Sequence, residues 1–272
     1  MFEKNEKNLI EFDENFDNLH NGASIKIVPN IVHYIIFNKN TINFIGYLSL
    51  LSVLKFHQPN RIFIHTNMKH FEGYYWDKIM ETQKLFNTKI ELVSMMRPTH
   101  VYGQLLSSVY HASDVSRIQI LRLWGGIYLD TDMLVLKSLE KFRYFEITIG
   151  WPEKQYIGTQ IIICNKNARF LKYWLESYQN YKPSEWYYNA GQLPTEGILE
   201  KYPDLVHRVK NYFGVHYLIH NLYTNESWTE WKNYYALHLL SRHTGAPTYL
   251  NQTIVDSMET PFGEIARKIL YT

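Results

Sequence analysis

Cysteine is almost missing from this chain. Cys164 stands alone among 272 residues, so no internal disulfide can form. It sits in the apolar run 161–164, the setting of a buried structural thiol. Long apolar runs are missing too: none approaches the ~20 residues of a membrane-spanning helix, so no integral membrane segment is expected. The opening Met-Phe-Glu-Lys-Asn-Glu-Lys-Asn has no apolar core, so a secretory signal is not expected there. Neither charge sign is in excess. Lys and Arg number 28 against 26 Asp and Glu, a net charge of +2, and they are scattered rather than striped. That excludes nucleic acid as an expected partner. No glycine-rich phosphate loop of either common type occurs, and there is no internal repeat or low-complexity tract. The triplets beginning at Asn225 and Asn251 are formal glycosylation acceptors, a pattern frequent by chance.

The residues that are present read as one α/β domain. Residues 1–28 are polar and rich in Asn, Glu and Lys, and are expected to form a flexible arm. Residues 29–272 read as a single catalytic domain. Strands are expected over 31–37, 61–65 and 89–93, with helices over 40–57 and 76–86 between them. This alternation predicts a mostly parallel sheet. Further strands are expected near 135–139, 147–151, 161–164, 206–209 and 235–243, and helices over 168–181 and 259–271.

The chain is organised around residues 112–134, Ala-Ser-Asp-Val-Ser-Arg-Ile-Gln-Ile-Leu-Arg-Leu-Trp-Gly-Gly-Ile-Tyr-Leu-Asp-Thr-Asp-Met-Leu. The first half has helical apolar spacing, with Ser113 read as its cap and Asp114 and Arg117 on one face. Gly125 and Gly126 end the helix, where positive φ is easiest for glycine. Residues 127–129 are a short buried strand, and Asp130 and Asp132 stand where it runs out. In extended chain, residues two apart point the same way, so the two carboxylates can converge. Hard oxygen ligands of this kind suit Mg²⁺ or Mn²⁺.

This string resembles the signature of the sugar-binding DXD glycosyltransferases, glycosyltransferase family 32. That family includes lactosylceramide α-1,4-galactosyltransferases and fungal initiating α-1,6-mannosyltransferases, and it is similar to the glucosyltransferase domains of clostridial toxins. The resemblance is specific over about 23 residues and weaker elsewhere. It implies a GT-A, Rossmann-like fold, Mn²⁺ or Mg²⁺, a nucleoside diphosphate sugar donor with UDP preferred, and a saccharide, glycolipid or protein acceptor. It also implies transfer with retention of configuration.

Carried onto this chain, the resemblance expects Asp132 as the direct metal carboxylate, with Asp130 holding the ribose or donor sugar and within reach of the metal. His238 completes the metal set, its other reading being a core histidine. Asp114 and Arg117 would meet and orient the donor sugar, with an exposed helix ion pair as the alternative. Tyr128, Tyr34 and Phe37 would approach the base and ribose, their other reading being core residues, and Gln160 would approach the reacting sugar. Glu196 reads as an acidic group near the acceptor, or equally as a helix-start carboxylate. Ser241, Arg242 and His243 would face the diphosphate. Relatives of this kind usually carry an anchor and work in the Golgi lumen. The chain is therefore expected there if it is an excised catalytic domain, and in the cytoplasm if it is complete. The competing readings are a carbohydrate-binding protein without turnover and a metal-dependent nucleotide-sugar hydrolase.

Overall fold

A computed structural model of the protein describes residues 11–224 and 227–272. The first half alternates strand and helix: β1 (Ile31–Ile35), α1 (Phe44–Phe56), β2 (Arg61–Thr66), α2 (Tyr74–Thr82) and β3 (Lys89–Ser94). A two-strand hairpin, β4 (His100–Val101) and β5 (Gln104–Leu105), leads into α3 (Val109–Trp124) and β6 (Gly126–Leu129). Then come β7 (Met133–Val135), β8 (Ile147–Gly150), β9 (Gly158–Cys164), α4 (Arg169–Ser177) and β10 (His207–Val209). The chain closes with α5 (Ile219–Tyr223), β11 (Ala236–His238), α6 (Gln252–Ser257) and α7 (Pro261–Tyr271).

The central sheet has the order β10-β8-β9-β6-β1-β2-β3. The pairs β1–β2, β2–β3, β1–β6 and β10–β8 are parallel, while β9 runs antiparallel to both β6 and β8. Apolar layers cover both faces, as parallel strands require. Alternation along a strand decides which residue enters which layer. Val32, Tyr34, Ile127 and Leu129 join the layer with α1 and α7. Ile35, Tyr128, Ile162 and Cys164 join the layer with α3 and α4. Cys164 is fully buried, as its apolar run suggested. Among the described residues, no helix is long and apolar enough to cross a membrane.

Three expectations are corrected here. Of the arm expected over 1–28, residues 1–10 lie outside the described residues and 11–28 are packed on the fold. Asn18 is fully buried, its amide donating to the Glu146 carboxylate and the Asp204 carbonyl, both at 3.0 Å. Ile27 and Val28 enter the core, where the Ile27 amide bonds the Arg143 carbonyl. Second, α3 begins at Val109, capped by Ser108, whose hydroxyl accepts from the His111 amide. Ser113 lies inside the helix, donating back to the Val109 carbonyl, so Asp114 is past the first turn. Third, of residues 235–243 only β11 is strand. Asn251 accepts from the Ile254 amide as the cap of α6, whereas the triplet at Asn225 falls mostly outside the described residues.

The turn between α3 and β6 is locked from below. Gly125 and Gly126 have φ of 63° and 103°. The His33 Nε2–H donates to the Gly125 carbonyl at 2.9 Å. That tautomer leaves Nδ1 to accept from the His65 Nε2–H at 3.0 Å. A Cβ on Gly126 would lie 2.6 Å from the Ile31 carbonyl oxygen and 2.9 Å from His33 Nε2. Gly126→Ala therefore combines a left-handed alanine with a backbone clash, worth about 3 kcal/mol or more. The melting temperature should fall by roughly 5–10 °C; a loss within 1 °C would show that the turn relaxes freely.

Burial, joined by the nearby His65, pushes His33 down to about 3, and burial pushes His65 down to about 4, from 6.5. Both are neutral at pH 7. Between pH 6.5 and those values the unfolded chain binds protons that the folded chain refuses. Stability should therefore decline as pH falls through that window, by up to about 1.4 kcal/mol per pH unit per histidine. Imidazole resonances of both rings should not titrate above pH 5; a midpoint near 6.5 for either would refute the buried neutral pair.

Candidate active site

The acidic pair emerges from β6 where the parallel strands end, the edge at which open α/β sheets bind ligands. The Asp130 amide bonds the Gln160 carbonyl at 2.9 Å, and the Met133 amide turns back to the Asp130 carbonyl at 3.0 Å. This turn sends the chain into β7, which pairs antiparallel with β11 and sets His238 opposite Met133. His238 thereby reaches Asp132. Ligand atoms of Asp130, Asp132 and His238 all lie within 4.8 Å of one another.

Asp132 is 6% exposed and accepts three hydrogen bonds: from His238 Nε2 at 3.1 Å, the Ser241 amide at 3.1 Å and the Ser241 hydroxyl at 2.8 Å. Leu240, at φ 52°, holds the turn that brings Ser241 back. Burial alone would raise the Asp132 carboxyl, but the His238 charge and the Ser241 donors outweigh it and hold it well below the carboxylate range. Burial would lower His238; Asp132 outweighs that and raises it. The Nδ1 of His238 points at the Val215 carbonyl, 3.4 Å away. A proton kept there leaves Nε2 to face the carboxylates, the outer-shell arrangement usual for a metal-binding histidine. Two hard oxygens and one imidazole at this spacing fit Mn²⁺ or Mg²⁺.

A second group adjoins the first. Arg117 donates to the Thr159 carbonyl at 2.7 Å and hydroxyl at 2.6 Å, and pairs with Asp114 at 2.9 Å and Asp130 at 3.5 Å. Its guanidinium lies 4.7 Å from the Tyr128 ring, whose hydroxyl donates to Asp130 at 2.6 Å. The side chains of Arg117 and Asp114 are only 6% and 13% exposed, so this is no solvated helix pair. Burial raises Asp114; Arg117 opposes the shift and Asp130 adds to it. Burial and then the Asp114 charge push the Tyr178 hydroxyl well up.

The structure thus brings together Asp114, Arg117, Tyr128, Asp130, Asp132 and His238. Gln160 joins them: its carbonyl receives the Asp130 amide, and its side chain is buried with Oε1 lacking a partner among the described residues. Tyr34 does not join. Its place in the alternation of β1 turns it to the α1 layer, where its hydroxyl bonds Ser49 at 3.0 Å and it is 1% exposed. Phe37 is likewise buried in the apolar cluster under α3 rather than lining an open pocket. Arg242 stacks on the ring of Tyr110, on α3, at 4.1 Å. Glu196 is exposed and sits apart, bonded by the Tyr156 hydroxyl at 3.2 Å and Gln192 at 3.1 Å. Thr159 and the double donation of Ser241 to Asp132 had no sequence signal, since both depend on contacts between distant segments.

Comparison with known proteins bears on the family and the fold. The chain is 28% identical over 179 residues to glucan organizing enzyme 1 of Cryptococcus neoformans, covering 59% of this chain and 46% of that one. It is 30% identical over 126 residues to mouse lactosylceramide 4-alpha-galactosyltransferase, covering 45% and 34%. The chain therefore spans less than half the length of these curated relatives. Among solved structures, the galactosyltransferase LgtC with donor and acceptor sugar analogues superposes with a TM-score of 0.50 at 13% identity, covering 89% of this chain and 97% of that one, which supports the GT-A fold. The family described as glycosyltransferase sugar-binding region containing DXD motif matches residues 9–148, more than half of the chain, and the chain belongs to that family.

Proposed function

We propose that the chain transfers a hexose from a nucleoside diphosphate sugar, UDP-linked by preference, to a saccharide, glycolipid or protein acceptor with retention of configuration. The observation that carries this reading is the convergence of Asp130, Asp132 and His238 at one sheet edge. These three would hold Mn²⁺ or Mg²⁺, which supplies Lewis-acid stabilisation of the departing diphosphate. The preference for UDP rests on the family and on relatives named for galactosyl transfer.

The remaining residues account for sugar binding. Asp114, held in place by Arg117 at 2.9 Å, accepts from donor-sugar hydroxyls. Arg117, anchored on Thr159 through Nη1, holds Asp114 and Asp130 side by side through Nη2. Gln160, with its unpartnered buried Oε1, offers a neutral acceptor beside the anomeric carbon. No carboxylate beyond the paired acids stands free here among the described residues, which favours attack from the leaving-group face over a covalent intermediate.

The test is thermal shift with UDP-galactose, UDP-glucose, UDP-N-acetylglucosamine and GDP-mannose, each with and without Mn²⁺, followed by release of nucleoside diphosphate. Metal-dependent stabilisation by one donor is expected, since a ligand of the folded state raises apparent stability. Release equally fast with and without any acceptor would favour hydrolysis; stabilisation without release would favour a binding protein.

A further inference from the structure

Next to the donor site lies a cleft of about 860 Å³ that none of its residues so far explains. Its walls carry Tyr156, Tyr187, Glu196, Glu200, Arg208 and Tyr217. Through Tyr187 it adjoins the segments that carry both arms of the donor site. The Tyr187 hydroxyl donates to the Ile157 carbonyl at 2.6 Å, two residues before Thr159, which holds Arg117. Tyr187 also packs edge-on against His216, the neighbour of Val215, whose carbonyl faces His238. Glu196 and Leu199 on its wall belong to a π-helical turn, 195–199, a rare geometry frequent at functional sites.

We infer that this cleft is the acceptor subsite and that the acceptor is a neutral oligosaccharide; the inference rests on the transfer reading above. Size is the first argument. A cleft of this volume takes a drug-sized ligand, larger than one sugar ring. Chemistry is the second. Planar rings beside fixed hydrogen-bonding groups suit a sugar, which presents an apolar face and a rim of hydroxyls. Tyr217 is 79% exposed and held at φ 57°, so its ring is displayed on the rim at a backbone cost rather than packed. Glu196 is held by Tyr156 and Gln192, one bond to each oxygen, and each oxygen keeps room for a sugar hydroxyl. Charge is the third argument. Glu196 and Glu200 are balanced by Lys154 and Arg208. The Arg208 guanidinium is already committed to the Trp151 and Pro152 carbonyls at 2.7 and 3.0 Å and stacks on Trp151. That leaves Lys154 facing two carboxylates, a balance that does not select for a sialylated, sulfated or phosphorylated glycan.

The experiment uses the protein loaded with Mn²⁺ and UDP on an array carrying neutral, sialylated and sulfated glycans and glycan-free polypeptides. Binding to neutral glycans is expected. Tyr217→Ala and Glu200→Gln, both at exposed positions, should each weaken it by roughly tenfold, while calorimetric titration with UDP and Mn²⁺ matches wild type. Binding only to charged glycans, only to polypeptide, to no glycan despite intact UDP binding, or unaltered by both substitutions would overturn the inference. Should UDP and Mn²⁺ fail to bind while neutral glycans still require Tyr217 and Glu200, the transfer reading falls and the saccharide site stands.

Discussion

Asp132→Asn should lower metal-dependent sugar transfer by about a thousandfold or more while leaving a folded protein. Lewis-acid stabilisation of a leaving diphosphate is worth several kcal/mol, and each ~1.4 kcal/mol is tenfold in rate. Asparagine keeps the shape of aspartate and an oxygen that still accepts from Ser241, now at 2.8 and 3.1 Å. What it loses is the charge. His238 is then left beside a neutral amide, and the cost is limited because an imidazole can drop its proton and keep its Val215 contact. The expected melting temperature is therefore within a few degrees of wild type, in contrast to the loss of activity. Release of nucleoside diphosphate measured across a Mn²⁺ titration gives the answer. Turnover within tenfold of wild type at saturating metal would remove Asp132 from the cation.

Much of this architecture is legible along the chain because it is local. Helical spacing up to Trp124, two glycines and three apolar residues suffice to place α3, its end and β6. The same holds for β1 to β3, where strand and helix alternate within a few residues of the expected limits. The misreadings share another cause. Alternation along β1 says that Tyr34 and Val32 share a face, but not which layer that face meets, so Tyr34 was expected at the nucleotide and is found against Ser49. Ser108 and Ser113 are both good caps, and the hairpin preceding α3 decides between them. Asn18 reads as polar and surface-bound, yet Glu146 buries it from 128 residues away. His238 beside Asp132 depends on the register of β7 with β11, and the second cleft is assembled from four separated segments, which no spacing rule relates.

Arg117→Met should cost about 3–5 kcal/mol, the range for removing one partner of a buried ion pair. Arg117 faces Asp114, Asp130, Thr159 and Tyr128 together. Without it, two carboxylates and a phenol hydroxyl are left in a poorly solvated pocket, their charges uncompensated. A loss of roughly 10 °C in melting temperature is expected, together with loss of transfer. Arg117→Lys separates charge from geometry. A lysine retains one positive charge but has no planar fork, so it cannot serve the Thr159 carbonyl and both carboxylates at once. It should recover part of the stability and little of the activity. Asp114→Asn in the Arg117→Met background should also recover stability, because it removes one unpaired charge, yet leave transfer abolished. If Arg117→Met melts with wild type and Asp114→Asn adds nothing to it, Asp114 is solvated in solution and the buried triad is not what shapes the donor pocket.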